Sequence, residues 1–235
     1  MRKVALITGT GKGIGKAIAK LLLTKGYFVF GYSRSNNIKH SHFTFTKIDL
    51  SNLEEIQKLQ LPTIDLANML LINNAATIGK ILPIHLKKET AIIKEYSLNI
   101  ISPTLLCNKF INTYPETEKI ILNIGSGAAN NPIPPWNTYC ACKSALDMLT
   151  KVISEENHKK LNIFSIHPGI VDTNMQETIR SSNPKYFPLL SKFTNDYTNN
   201  ELENTSTVSQ KLYYIIQNFS EFTKNILSIR DIDLK

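Results

Sequence analysis

The sequence predicts an α/β fold, a doubly wound parallel sheet of about seven strands flanked by helices on both faces. Three observations predict it. Short apolar runs recur along the 235 residues with helical spacing between them, as parallel strands joined by crossover helices require. The first run, Val4 to Ile7, leads into Thr8-Gly9-Thr10-Gly11-Lys12-Gly13-Ile14-Gly15, and then Ile14, Ile18, Leu21 and Leu22 fall at helical intervals up to a stop at Gly26. No repeat, linker or shift in composition divides the chain, so a single domain is expected over 1–235.

Strand, glycine turn and helix form the arrangement in which backbone amides at a helix start hold a phosphate. The spacing departs from Gly-x-Gly-x-x-Gly, which needs glycine at Ile14 or Lys16, and from the P-loop, because Ala17 follows Gly15-Lys16. A second strand, Tyr27 to Tyr32, ends at Ser33-Arg34, and a third, Thr44 to Ile48, ends at Asp49-Leu50. Asp49 is also placed to cap a helix beginning near Ser51. A fourth strand, Met69 to Ile72, leads into Asn73-Asn74-Ala75-Ala76. Helical periodicity then runs from Ile84 to Tyr114 and contains Asn99, a residue type poorly suited to helix interiors. The fifth strand, Ile120 to Ile124, is followed by Ser126.

A helix opened at Thr138 and running on through Asp147 to Asn157 puts Tyr139 and Lys143 on one face, a turn apart. The sixth strand, Asn162 to Ile166, meets a sharp turn at His167-Pro168-Gly169. From about 172 to 204 the chain turns polar, with Pro184 and Pro188 set among Tyr186, Phe187 and Tyr197. A loop of that length is usually functional, and a lid is expected there, with a linker as the alternative. Thr207 to Phe219 reads as the last helix and Ile226 to Ile229 as the last strand, ending at Arg230-Asp231.

The pair Tyr139 and Lys143 carries chemistry. An ammonium beside a phenol favours the phenolate, so Tyr139 is expected to release its proton more readily than free tyrosine does near pH 10. Such an acid suits protonation of a carbonyl oxygen. Ser126, thirteen residues before Tyr139, lies at the carboxyl edge of the sheet, where open α/β sheets bind ligands. His167 reads as a strand-end residue rather than a base, since Tyr139 and Lys143 already fill that role.

The net charge of +8 comes from basic residues scattered along the chain, with no block of five. Scattered charge suits a solvated surface or an anionic small ligand, and the absence of a basic cluster argues against nucleic acid as partner. Cys107, Cys140 and Cys142 give no even disulfide framework, so ordinary thiols in a reducing cytoplasm are expected. The start is too short for a secretory leader and no run spans a membrane, so a soluble cytoplasmic protein is expected, with no metal site.

Ser126 followed by Tyr139-x-x-x-Lys143, with Thr8-Gly9 and Gly13-Ile14-Gly15 upstream, resembles the short-chain dehydrogenase/reductase family. The resemblance implies a Rossmann-like sheet binding NADP(H). It implies that Thr8, Gly9, Gly11, Lys12, Gly13, Ile14 and Gly15 form the cofactor turn. Lys12 and Arg34, with Ser33, match positions that select the 2′-phosphate, so NADPH is expected over NADH. Asp49 and Leu50 match the adenine contact, and Asn74-Ala75-Ala76 the family's Asn-Asn-Ala-Gly motif with its glycine replaced. Ile124, Pro168, Gly169, Val171, Thr173 and Met175 complete the cofactor set, Pro168-Gly169 and Val171 by carrying the nicotinamide carboxamide and Thr173 near the pyrophosphate. By the same resemblance Tyr139 is expected to protonate the carbonyl oxygen that Ser126 holds and Lys143 to hold the nicotinamide ribose, while Asn99 either helps hold a water or is merely an exposed polar residue.

Within the family, Trp136-Asn137-Thr138-Tyr139-Cys140-Ala141 is similar to sepiapterin reductases. Ser126-Gly127-Ala128-Ala129-Asn130-Asn131-Pro132 and Asp172-Thr173-Asn174-Met175-Gln176 look like the bacterial benzil reductases related to them. The expected activity is NADPH-dependent reduction of one ketone of a 1,2-dicarbonyl next to an aromatic group, with Trp136 and Asp231 joining Ser126 and Tyr139 at the substrate. Asp231 either anchors a pterin or is a solvated carboxylate. Reductases of sugars, steroids or 3-oxoacyl groups, and a non-catalytic NADP-sensing module, are the alternatives. The resemblance implies a homodimer or homotetramer, since the family usually pairs through its two central helices.

Overall fold

The computed structural model describes residues 2–64 and 68–234. Seven strands form one sheet: β1 (Lys3–Thr8), β2 (Phe28–Ser33), β3 (Phe43–Lys47), β4 (Asn68–Asn73), β5 (Glu118–Ile124), β6 (Leu161–His167) and β7 (Ile226–Ser228). Their order is β3-β2-β1-β4-β5-β6-β7, and every pairing is parallel. The chain steps outward from β1 to β3 and then returns to β4, so the strand order reverses between β1 and β4. The crevice beyond their carboxyl ends is where such sheets take ligands.

The described residues form eight α-helices: α1 (Gly13–Thr24), α2 (Leu53–Lys58), α3 (Glu89–Tyr96), α4 (Ser102–Thr113), α5 (Asn137–Glu155), α6 (Asn174–Arg180), α7 (Leu190–Thr198) and α8 (Thr205–Gln217). Successive residues of β1 point to opposite faces, and both faces are buried. Ala5 and Ile7 join Ile18 and Leu22 of α1 and Leu212 and Ile215 of α8 in one core. Val4 and Leu6 join Leu106 and Phe110 of α4 and Ile153 of α5 in the other. This two-sided burial is why the strands read as unbroken apolar runs. Each such aliphatic side chain contributes about 1.5–3 kcal/mol by leaving water.

The helical periodicity expected over Ile84–Tyr114 appears as a 3-10 turn at Ile84–Leu86 and an unbroken helical stretch over 89–113, in which α3 and α4 join through a wider turn of π geometry at Ser97–Ile101. Pro103 accounts for the wider turn. It has no N–H for the carbonyl of Asn99 four residues earlier, and its ring crowds that carbonyl in a regular helix.

The expected long loop over 172–204 contains α6 and α7. Ile179, Phe187 and Phe193 from this segment are buried against Trp136, Tyr139 and Ile78, giving a third core at the start of α5. Three well-spaced apolar anchors suffice to order a segment that is otherwise polar. The helix expected near Ser51 begins at Leu53, and Asn52 caps it by accepting from the Glu54 N–H. Asp49 instead accepts from the backbone N–H and the hydroxyl of Ser51, at 3.0 and 2.7 Å, closing a turn before the helix.

Candidate active site

The glycine turn follows directly from β1. Gly9 has φ +75°, a conformation open to glycine and costly for side chains. Gly15 lies where a Cβ would come within 2.4 Å of the Gly9 carbonyl oxygen and 2.3 Å of Asn74 Nδ2, so only glycine lets α1 approach the strand ends. Thr8 ties the turn to β4: its hydroxyl oxygen accepts from the N–H groups of Asn74 and Ala75, both at 2.9 Å. Asn74 Nδ2 donates back to the Thr8 carbonyl at 2.9 Å.

These contacts shape a cavity of about 250 Å³ along the crevice. Gly9, Gly11, Lys12, Gly13 and Ile14 line one side. Ser33, Arg34, Asp49 and Leu50 line its far end, with Asn74, Ala75 and Ala76 between. Ile124, Tyr139, Lys143, Pro168, Thr173 and Met175 close the near end. Thr8 and Gly15 do not line it and act through packing and hydrogen bonds beneath it. Burial pulls the Asp49 carboxyl upward, but the Ser51 hydrogen bonds and the charges of Lys94 and Arg34 outweigh that, holding it below its ordinary value. Amides presented by a glycine turn, two basic side chains and an elongated cleft fit a phosphorylated dinucleotide.

A second cavity, of about 460 Å³, adjoins the first and shares Ile14, Gly125, Tyr139, Pro168, Thr173 and Met175 with it. Ser126 and Trp136 line this one, as do Gly169 and Val171. Trp136 precedes α5, packs edge-on to Tyr139 with ring centroids 5.9 Å apart, and stacks on Phe187 at 5.7 Å. The α6–α7 segment therefore supplies an aromatic wall.

Tyr139 and Lys143 lie buried one turn apart on α5. Ser126 stands in extended backbone just past β5, its hydroxyl accepting from the Ala128 N–H at 3.1 Å. Its hydroxyl favours the ionised form of the Tyr139 phenol. Lys143 Nζ donates to the Ile124 carbonyl at 2.6 Å and sits 5.6 Å from the centroid of the Tyr139 ring.

The expected acidification of Tyr139 does not occur. Burial pushes its phenol up to about 12, and the influence of Ser126 pulls back only in part. Burial also pushes the Lys143 ammonium down to about 8, against the opposing influence of Cys142 and Asp147. Desolvation is the largest cause of both shifts. Tyr139 is thus fully protonated at neutral pH, the state a proton donor needs.

Asn99 lies in the wide turn and is buried rather than exposed. Its side chain accepts from the Thr77 N–H and donates to the Thr77 carbonyl, both at 2.9 Å, pinning the loop after β4 beside the site. Asp231 lines neither cavity. It lies in a short turn, Ile229–Asp231, that ends the expected seventh strand at Ser228 and presents Arg230 to the second cavity.

Sequence patterns did not single out Arg230, Lys192 or Gln176 as lining residues. Nor did they reveal the buried set in which Asp147 accepts from Ser165 at 2.5 Å and bonds His167 Nε2 at 2.8 Å. Asp147 stands one turn beyond Lys143 on the same helix face, the only spacing signal available.

A cleft suited to a dinucleotide, meeting at Tyr139 a second cavity lined by Ser126, is the site of an oxidoreductase acting on CH–OH or C=O groups. The chain belongs to the short-chain dehydrogenase family, whose sequence profile matches residues 3–184. That family works with a nicotinamide cofactor. A benzil reductase ((S)-benzoin forming) from Bacillus subtilis is 37% identical over 203 residues, covering 80% of this chain and 82% of the relative. Sepiapterin reductase from Rattus norvegicus is 30% identical over 242 residues, covering 91% of each. A short-chain dehydrogenase/reductase structure from Saccharomyces cerevisiae superimposes with a TM-score of 0.82 at 23% identity, over 97% of this chain and 96% of that one, and shares the fold.

Proposed function

We propose that the chain is an NADPH-dependent carbonyl reductase that reduces one ketone of a 1,2-dicarbonyl lying next to an aromatic group. The observation that carries this reading is the meeting of the two cavities at Tyr139, with Ser126 and the Trp136 wall on the second side. The name of the benzil reductase relative supplies the dicarbonyl part, and both relatives' names supply a ketone beside an aromatic ring. Reduced nicotinamide, when bound, supplies the hydride.

The remaining chemistry belongs to the chain. The Ser126 hydroxyl hydrogen-bonds the carbonyl oxygen and orients it towards Tyr139, which donates its proton as negative charge develops there. Lys143 fixes the Ile124 backbone at 2.6 Å and holds the ribose hydroxyls. Arg34 and Lys12 receive the 2′-phosphate, with no carboxylate at the end of β2 to repel it. Trp136 and Phe193 hold the aromatic group, and the 172–204 segment acts as a lid that excludes water from the second cavity. The setting is the cytoplasm, where the three free cysteines stay reduced.

NADPH consumption measured against sepiapterin, benzil, isatin and an acetoacetyl thioester tests the reading. Turnover is expected with the first three and little with the thioester. Tyr139→Phe is expected to lower kcat about a hundredfold or more, the scale of losing a general acid. Near-native turnover in that variant would falsify the assignment.

A further inference from the structure

The second cavity has two unlike walls. One is aromatic, built from Trp136 and the 172–204 segment. The other comes from the carboxyl ends of β6 and β7, where His167 pairs with Ser228 in parallel register. Two residues beyond that pair stand Gly169 and Arg230, close enough that a Cβ on Gly169 would sit 3.4 Å from Arg230 Nε. His167, Ser228 and Arg230 all line the cavity, and Lys192 lines it from α7. No Asp or Glu lines it among the described residues.

The three basic groups differ in availability. Lys192 is paired with Asp196 at 2.9 Å, and His167 faces the buried Asp147. Arg230 forms no ion pair among the described residues, and its neighbour Asp231 points to neither cavity. Its guanidinium stands at the open edge of the cavity as a planar fork of donors suited to an oxyanion.

We infer that the substrate carries an acidic group as well as its aromatic and dicarbonyl parts, and that Arg230 receives this group as a carboxylate. The inference rests on the proposed reductase reading and narrows its substrate class to anionic aryl dicarbonyls. A cationic, donor-only group would meet a cation here instead of a carboxylate. The edge position implies that the preference weakens as salt screens it.

Trp136 is the single tryptophan of the chain and lines the cavity, so its fluorescence reports binding directly. With NADP+ present, the intact protein is titrated with 4-carboxybenzil and with its neutral methyl ester. The acid is expected to bind about tenfold more tightly at low ionic strength, the scale of one charge-assisted hydrogen bond. Arg230→Gln is expected to erase that ratio and Arg230→Glu to invert it, whereas Lys192→Gln changes it by less than Arg230→Gln does. NADPH turnover of the same pair and of benzil is measured alongside. Equal affinity for acid and ester in the wild type, or an unaltered ratio in Arg230→Glu, would overturn the inference. Reduction of benzil with no acid preference sinks this inference alone, whereas acid-selective binding without any dicarbonyl turnover supports the anion wall and sinks the reductase reading.

Discussion

At the scale of the residue, the site is governed by desolvation. Tyr139 and Lys143 were legible in the sequence because their spacing fixes a shared helix face. Their proton affinities were not, because those depend on how much of α5 is covered by β5, α6 and α7. Lys143 has its pKa lowered from 10.5 to about 8, so it loses its proton earlier as the pH rises. Activity that needs the charged ammonium is therefore full at neutral pH and falls through about 8, while Tyr139, raised to about 12, stays protonated over that range. A pH–rate profile of kcat/KM from 5 to 10 should show this alkaline limb, and Lys143→Arg, which keeps its charge, should lack it. Persistence of the same limb in the arginine variant would assign it to another group.

At the scale of the element, the start of α5 is clamped by a buried polar cluster. Lys87 Nζ lies 2.7 Å from Glu95 Oε2 and 2.7 Å from the Thr138 hydroxyl, and Thr138 also donates to Glu95. The Lys80 N–H donates to the other oxygen of Glu95 at 2.9 Å. Thr138 precedes Tyr139, so this cluster between α3 and α5 sets where the phenol sits. Glu95→Ala leaves Lys87 charged, buried and without its carboxylate, and is expected to cost about 3–5 kcal/mol in chemical denaturation. Glu95→Gln, which keeps a hydrogen-bond acceptor, should cost less. Nothing in the sequence announced this pair, because Lys87 and Glu95 are ordinary surface residues until Gly79 brings its backbone against the carboxylate. A Cβ at Gly79 would fall 2.0 Å from Glu95 Oε1. The π turn at Ser97–Ile101 was signalled by Pro103, but periodicity alone concealed it, since the chain stays helical through it. In the 172–204 segment the reverse holds: polar composition hid two helices that Phe187 and Phe193 organise from a distance in sequence.

At the scale of the whole molecule, the parallel sheet of about seven strands and its two-sided core could be read from apolar runs and glycine turns. The surface could not, because exposed apolar residues and solvated ones share the same helical spacing. Ile93 and Tyr96 on α3, Ile101 in the wide turn, and Met148 and Val152 on α5 are all exposed. Ile93 is 65% and Met148 58% accessible, costly for side chains of that size in a free chain. A homo-oligomer covering these helices is the expected state in sedimentation-equilibrium analysis. Met148→Lys combined with Val152→Lys should shift the distribution towards monomer, and an unchanged monomeric profile for the wild type would show that this face stays in water. Cofactor affinity should survive the change, because neither residue borders the cleft.

The partition between the two cavities carries a kinetic consequence. Ile14, Tyr139, Thr173 and Met175 belong to both, so a dinucleotide lodged in the first chamber becomes panelling for the second. Until that panel is in place, the carbonyl compound faces an unfinished room and gains little from entering. Filling is then compulsory in sequence, and departure runs the other way, alcohol first. Oxidised dinucleotide should compete with its reduced counterpart at every substrate level, whereas the alcohol should not.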